Sequence, residues 1–226
     1  MSLPLLVRCF NRLPQPRPGD DDDLWTAGLQ SSVREFREAI VNNYTDATLE
    51  RLLKNPDNVT RQAATLALGL VGGIETATSV AAMLKDRDRL VRRFAHDALW
   101  EIWFRGSDEE QCRRLREVLR LDDFAAGMAA LDDLIQDYPD YAEAFNQRAV
   151  LYYRRGEYAR SAADCEKVLR LNPVHFAAAS GMGQCYLRMK KPKAALRAFR
   201  TALSINPDLE SVREAVSALK AAFGDD

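Results

Sequence analysis

At 226 residues the chain is long enough for one extended or two small domains, and 47% hydrophobic content supplies a core. Glycine and proline are scarce while alanine and leucine dominate, which favours helices over strands. A net charge of −1 argues against nucleic acid as the main ligand, because phosphate binders carry a basic excess, although local patches remain open.

The opening stretch, MSLPLLVRCFNRLP, has an apolar run of about five residues before Arg8. A secretory signal needs roughly 7–15 and a membrane helix about 20. The expectation is therefore a protein without a membrane span, resident in the cytoplasm. Gln15 to Asp23, with its prolines and its four consecutive aspartates, reads as flexible, so 1–23 is assigned as a flexible N-terminal segment. Asp22 or Asp23 is placed to cap the helix that follows, since a carboxylate accepts its unpaired N–H groups.

That helix is predicted over 24–43, and behind it the chain repeats at an offset of 31 residues. LLKNPDNVTRQAATLALG (52–69) aligns with MLKDRDRLVRRFAHDALW (83–100), pairing Lys54 with Lys85, Asp57 with Asp88, Arg61 with Arg92 and Leu68 with Leu99. Each copy places a helix ending in Leu-Lys, an Asp-bearing turn, and a second helix rich in small apolar residues. Gly72-Gly73 breaks the chain between units. The string resembles the short bacterial HEAT repeats, and on that resemblance 24–105 is assigned as a HEAT-like region.

From about Asp108 the period becomes 34: Pro139, Pro173 and Pro207 are that far apart. A period of this length implies a helix-turn-helix unit that buries its apolar face on the next copy. Aligned on the prolines, Ala149, Tyr152, Ser161, Cys165 and Val168 fall in register with Gly183, Tyr186, Ala195, Phe199 and Ala202. YAEAFNQRAVLYYRRGEYARSAADCEKVLRLNP (141–173), with Gly156 and Tyr158 at its turn, closely resembles the tetratricopeptide repeat. On that resemblance 108–207 is assigned as three such repeats.

Two copies depart from the pattern. The last replaces the Gly-x-aromatic turn by Lys190-Lys191-Pro192, with Pro192 in a first helical turn, where its missing N–H is harmless. The first has Leu115 at the usual glycine place and Gly127 at the usual alanine place. That predicts a compensated pair, in which Gly127→Leu is more disruptive than Ala195→Gly is in the last copy. The terminal stretch 208–226 carries Leu209, Val212, Val216, Leu219 and Phe223 on one face. It suits a capping helix; a docking helix for a second subunit is the alternative.

No catalytic constellation is legible: the chain has no nucleophile elbow, phosphate loop or HExxH string. It is expected to be non-catalytic and to need no cofactor. Cys9, Cys112, Cys165 and Cys185 show no zinc-type spacing, and with only His96 and His175 available no metal site is expected. Cys165 and Cys185 read as buried free thiols, which suits a reducing compartment.

The resemblance to tetratricopeptide repeats implies an all-α right-handed superhelix of about twelve helices whose first helix in each repeat lines a binding groove. The positions so implied are Glu143, Asn146, Gln147, Val150, Tyr153 and Arg154 in the middle copy, with Gln184 and Arg188 in the last. The family's carboxylate clamp needs Lys or Arg where this chain has Ala177, Ser180 and Gly181, so a clamp is not expected. What the groove offers is amides, one aromatic and two arginines, suited to a peptide or helix of another protein. Two other readings stay open: a HEAT-like accessory or lyase-like protein holding a small molecule or chromophore, and a nucleic-acid-associated protein using Lys85, Arg87, Arg89, Arg92 and Arg93. The bland counterpart of that basic string is a charged repeat turn balanced by Asp86 and Asp88.

Overall fold

The computed structural model describes residues 4–14 and 22–223, with side chains from residue 29 onward in the second stretch. The flexible stretch expected over 15–21 and the capping carboxylates of Asp22 and Asp23 lie outside the described residues. Among those described there are thirteen α-helices, two short 3₁₀ turns and no strand. The chain divides into two compact units, Met1–Ile102 and Trp103–Asp226.

The first unit holds α1 (Leu5–Phe10), α2 (Asp22–Asn43), α3 (Asp46–Leu52), α4 (Asn58–Val71), α5 (Ala77–Ala82) and most of α6 (Arg89–Arg105). Helix α1 departs from the flexibility expected over 1–23 within the described residues 4–14. Its Leu6 and Val7 are buried, and Phe10 meets Phe36 and Phe94 edge-on at 6.5 and 6.0 Å. The Leu6 N–H also donates to the Tyr44 hydroxyl at 2.9 Å. A short apolar run suffices to dock one and a half turns when aromatic faces receive it.

The 31-residue offset reappears as duplicated hydrogen bonds. Asp57 accepts from the Thr60 N–H at 2.8 Å, and Asp88 accepts from the Val91 N–H at 3.0 Å, each capping a helix. Asn55 and Asp86 each accept the N–H two residues on, at 3.0 and 2.8 Å. Arg61 Nη1 donates to the carbonyls of Asn55 and Pro56, and Arg92 Nη1 to those of Asp86 and Arg87.

Other bonds join the two copies. Arg61 grips Asp86 with both Nε and Nη2 at 2.7 and 2.9 Å, the side chains only 5% and 9% exposed. Asn58 and Gln62 donate to Asp88 at 3.0 Å each. Burial pushes the Asp86 carboxyl up, but the Arg61 guanidinium and the Asp88 N–H outweigh it and hold it below the usual range. Asp88 is brought down to about 2, chiefly by Asn58.

The second unit runs through α7 (Glu109–Val118), α8 (Phe124–Asp137), α9 (Ala142–Arg154), α10 (Tyr158–Leu171), α11 (Phe176–Arg188), α12 (Pro192–Ile205) and α13 (Glu210–Phe223), each packed on the next. The turn after α9 has Gly156 in the left-handed region at φ 79°; after α11, Lys190 takes the same conformation at φ 58°. The hydrogen bonds match: Glu157 N–H to the Tyr152 carbonyl and Lys191 N–H to the Tyr186 carbonyl, both 2.9 Å. Pro192 stands at the start of α12, as expected.

The compensated pair in the first copy is not formed. Leu115 is fully buried with Leu131, Leu134 and Ala144. A Cβ added at Gly127 meets only Leu151 Cδ1, at an ordinary 3.6 Å. Close approach belongs to the last copy, where a Cβ at Gly183 would lie 2.5 Å from the Phe199 ring. Along α13, Val212, Val216 and Leu219 are buried against α12 residues, whereas Phe223 is 59% exposed.

Two predictions follow from these contacts. Arg61→Ala leaves Asp86 buried without its partner and lowers stability by about 3–5 kcal/mol in urea unfolding. Because Asp86 and Asp88 are depressed, their contribution is present above roughly pH 4 and is lost as pH falls toward 2, so wild type unfolds at lower urea at pH 3 than at pH 5. Separately, Lys190→Gly relieves a left-handed non-glycine residue and raises the melting temperature, a gain of up to about 1 kcal/mol.

Candidate functional site

Glu143, Gln147, Val150 and Arg154 recur at helical spacing along one face of α9. One period later Gln184 and Arg188 stand on α11 at the places of Val150 and Arg154. The structure makes this face half closed and half open.

The closed half is at the N-terminal ends of α9 and α11. Glu143 is 1% exposed and Asn146 6%, so neither is open to a ligand, contrary to their assignment as groove positions. The Glu143 carboxylate is consumed internally. Oε1 accepts from Asn146 Nδ2 at 3.0 Å and Gln147 Nε2 at 2.6 Å, while Oε2 faces His175 Nε2 at 3.1 Å. His175 Nδ1 accepts from the Ala178 N–H, capping α11, so its proton lies on Nε2 and points at Glu143.

The cover comes from residues 103–104, which belong to this unit. Trp103 stacks on His175 with ring centroids 3.9 Å apart and planes 16° from parallel, and it also meets Phe176 at 5.1 Å. Tyr141, one period before His175, donates its hydroxyl to the Phe104 carbonyl at 2.5 Å. Its burial pushes the phenol pKa far up. Gly106, in the left-handed region at φ 68°, lies so close under the Tyr141 ring that an added Cβ would sit 2.8 Å from it. Gly106-Ser107 is thus a packed cap, with the Ser107 N–H held by Gln111 at 2.9 Å.

The open half holds the other assigned positions. Val150 is 38% exposed, Arg154, Gln184 and Arg188 are exposed, and Gln147 and Tyr153 are half-buried. Arg188 Nε donates to the Tyr153 hydroxyl at 3.3 Å, and its guanidinium lies over the Tyr153 and Tyr158 rings at 5.9 and 5.6 Å. Gln147, Val150 and Arg154 also line a cleft of about 390 Å³ whose other wall is the end of α7 and the start of α8. Leu119 and Leu121, 50% and 46% exposed, stand in that wall.

Residues 112–173 and 147–210 match the family model for the tetratricopeptide repeat. Over 112–210 these hairpins are similar to tetratricopeptide repeats. A TPR repeat-containing protein of Rhizobium etli is 37% identical over 94 residues, 42% of this chain and 46% of that protein. The chain therefore spans about half the length of the curated relative it matches. Among solved structures, the first TPR of Spaghetti (RPAP3) bound to the HSP90 peptide SRMEEVD aligns with TM-score 0.44 and 16% identity, over 52% of this chain and 90% of that one. MamA MSR-1 C2 aligns with TM-score 0.41 and 19% identity, over 73% and 87%.

Sequence reasoning missed Trp103, Leu119 and Leu121, and it saw no role for His175. A signal existed for His175: it falls 34 residues after Tyr141, and both positions face residues 103–104 beside the tetratricopeptide helices. Of the basic string, Arg87 donates to the Pro56 carbonyl and Arg92 to two others, so both serve the repeat turn, while Lys85, Arg89 and Arg93 are exposed. Cys112, Cys165 and Cys185 are buried free thiols, and burial pushes Cys165 up to about 12. Among the described residues no helix is long and apolar enough to cross a membrane, and no group of three or more His, Cys, Asp or Glu is placed for a metal.

A glutamate that served only a ligand would be replaceable at little cost to the fold. Glu143→Ala instead strands the buried donors of Asn146 and His175, and it is expected to destabilise by about 3 kcal/mol in denaturant unfolding.

Proposed function

We propose that this protein is a non-catalytic interaction scaffold whose tetratricopeptide region holds a peptide or helix of another protein. The observation that carries the reading is the repetition of Arg154 as Arg188: two exposed arginines one repeat apart, the second of them on the Tyr153 hydroxyl. Guanidinium groups so placed offer forked donors to carbonyls or carboxylates, and the tyrosine offers an amphipathic anchor. The binding surface on this reading comprises Gln147, Val150, Tyr153, Arg154, Gln184 and Arg188, without Glu143 and Asn146. The duplicated turn bonds at offset 31 support a HEAT-like reading of the N-terminal unit. Buried free thiols fit a reducing compartment such as the cytoplasm.

The test compares wild type with a Tyr153→Ala, Gln184→Ala, Arg188→Ala triple variant as baits in lysate of the source organism. A partner retained by wild type and reduced at least tenfold on a variant of unchanged helicity and melting temperature is the expected result. Equal retention by both baits would sink the reading.

A further inference from the structure

Three large apolar side chains on the second unit stay substantially exposed around one cleft: Leu119, Leu121 and Val150. Its floor contains Gly127, where the following repeats have Ser161 and Ala195. Packing does not demand that glycine. Its backbone is ordinary α-helix, and an added Cβ would make one normal contact, with Leu151 at 3.6 Å. A glycine inside a helix is unfavourable unless something uses the space. Here the missing side chain is cleft volume.

Charge is disposed around the opening. Arg154, on the rim, is exposed and makes no hydrogen bond or ion pair with any described residue. Arg155 beside it lies over the Phe124 ring at 4.2 Å. At the opposite rim Asp123 is engaged, accepting from the Ala126 N–H at 2.7 Å, whereas Asp122 is exposed. Unpaired positive charge therefore sits at the α9 end, while at the α7–α8 turn exposed Arg120 and Asp122 offset one another.

We infer that this cleft is an anchor pocket for a segment of another protein, taking one large aliphatic or aromatic side chain above Gly127 with a carboxylate of the same segment on Arg154. The carboxylate on Arg154 places the acidic side of the segment toward α9. The inference rests on the scaffold reading and adds to it the sequence character of the bound segment.

The experiment selects a displayed random twelve-residue peptide library on the full chain and measures the enriched peptides against variants. Peptides are expected to share Leu, Ile, Met or Phe with Asp or Glu within about one helical turn. Gly127→Leu, which fills the cleft, is expected to weaken them at least tenfold while melting no lower than wild type. Leu121→Glu, at an exposed position, gives the same loss without touching the floor, and Arg154→Glu turns the selected flank from acidic to basic. Peptides indifferent to Gly127→Leu and Leu121→Glu but lost on the Tyr153, Gln184, Arg188 triple variant would overturn the pocket and leave the scaffold reading standing. A library that enriches nothing would overturn both.

Discussion

A carboxylate withdrawn from water must have its lone pairs met, or it remains a standing penalty of several kcal/mol. Glu143 meets this condition through Asn146, Gln147 and His175, drawn from two helices one repeat apart. The requirement fixes much else. It orients His175, whose other nitrogen caps α11, and it sets the imidazole plane on which Trp103 stacks. With that end of the face sealed, its open part runs from Gln147 on α9 to Arg188 on α11.

The same logic organises the N-terminal unit around a different pair. Arg61 spans a turn carbonyl of its own copy and a carboxylate of the next, so one guanidinium sets both the shape of a repeat and its register against its neighbour. Five donors in a rigid fork make arginine suited to this double duty, and a lysine would satisfy one role at a time. Charge that looks in the sequence like a ligand patch is thereby partly absorbed into architecture.

Periodicity was the legible part. Residues 34 apart share backbone conformation even where the residue type changes, as Gly156 and Lys190 do, because the turn is specified by its hydrogen bonds. Pro192 could be placed by its chemistry alone. What sequence could not reveal was pairing across elements without a period. Nothing about Trp103 marks it as the partner of an imidazole 72 positions on, and Leu115 and Gly127 are matched in register but not in contact. Polar residues on a helix face read as solvent-facing in a sequence, yet Glu143 and Asn146 are buried, with His175 from the next repeat set against the Glu143 carboxylate. The short α1 was missed for the same reason: its stability lies in Phe36 and Phe94, not in its own few residues.

Repeat arrays held by apolar contact alone can fray from the ends, each unit detaching at a modest loss of buried area. Polar bonds between neighbours alter that balance. Peeling α11 from α9 would leave Glu143 facing its own helix with His175 gone, and separating the two N-terminal copies would expose Arg61 and Asp86 to the same fate. Partly opened states are therefore penalised beyond their lost area. Each unit is biased to unfold as a block.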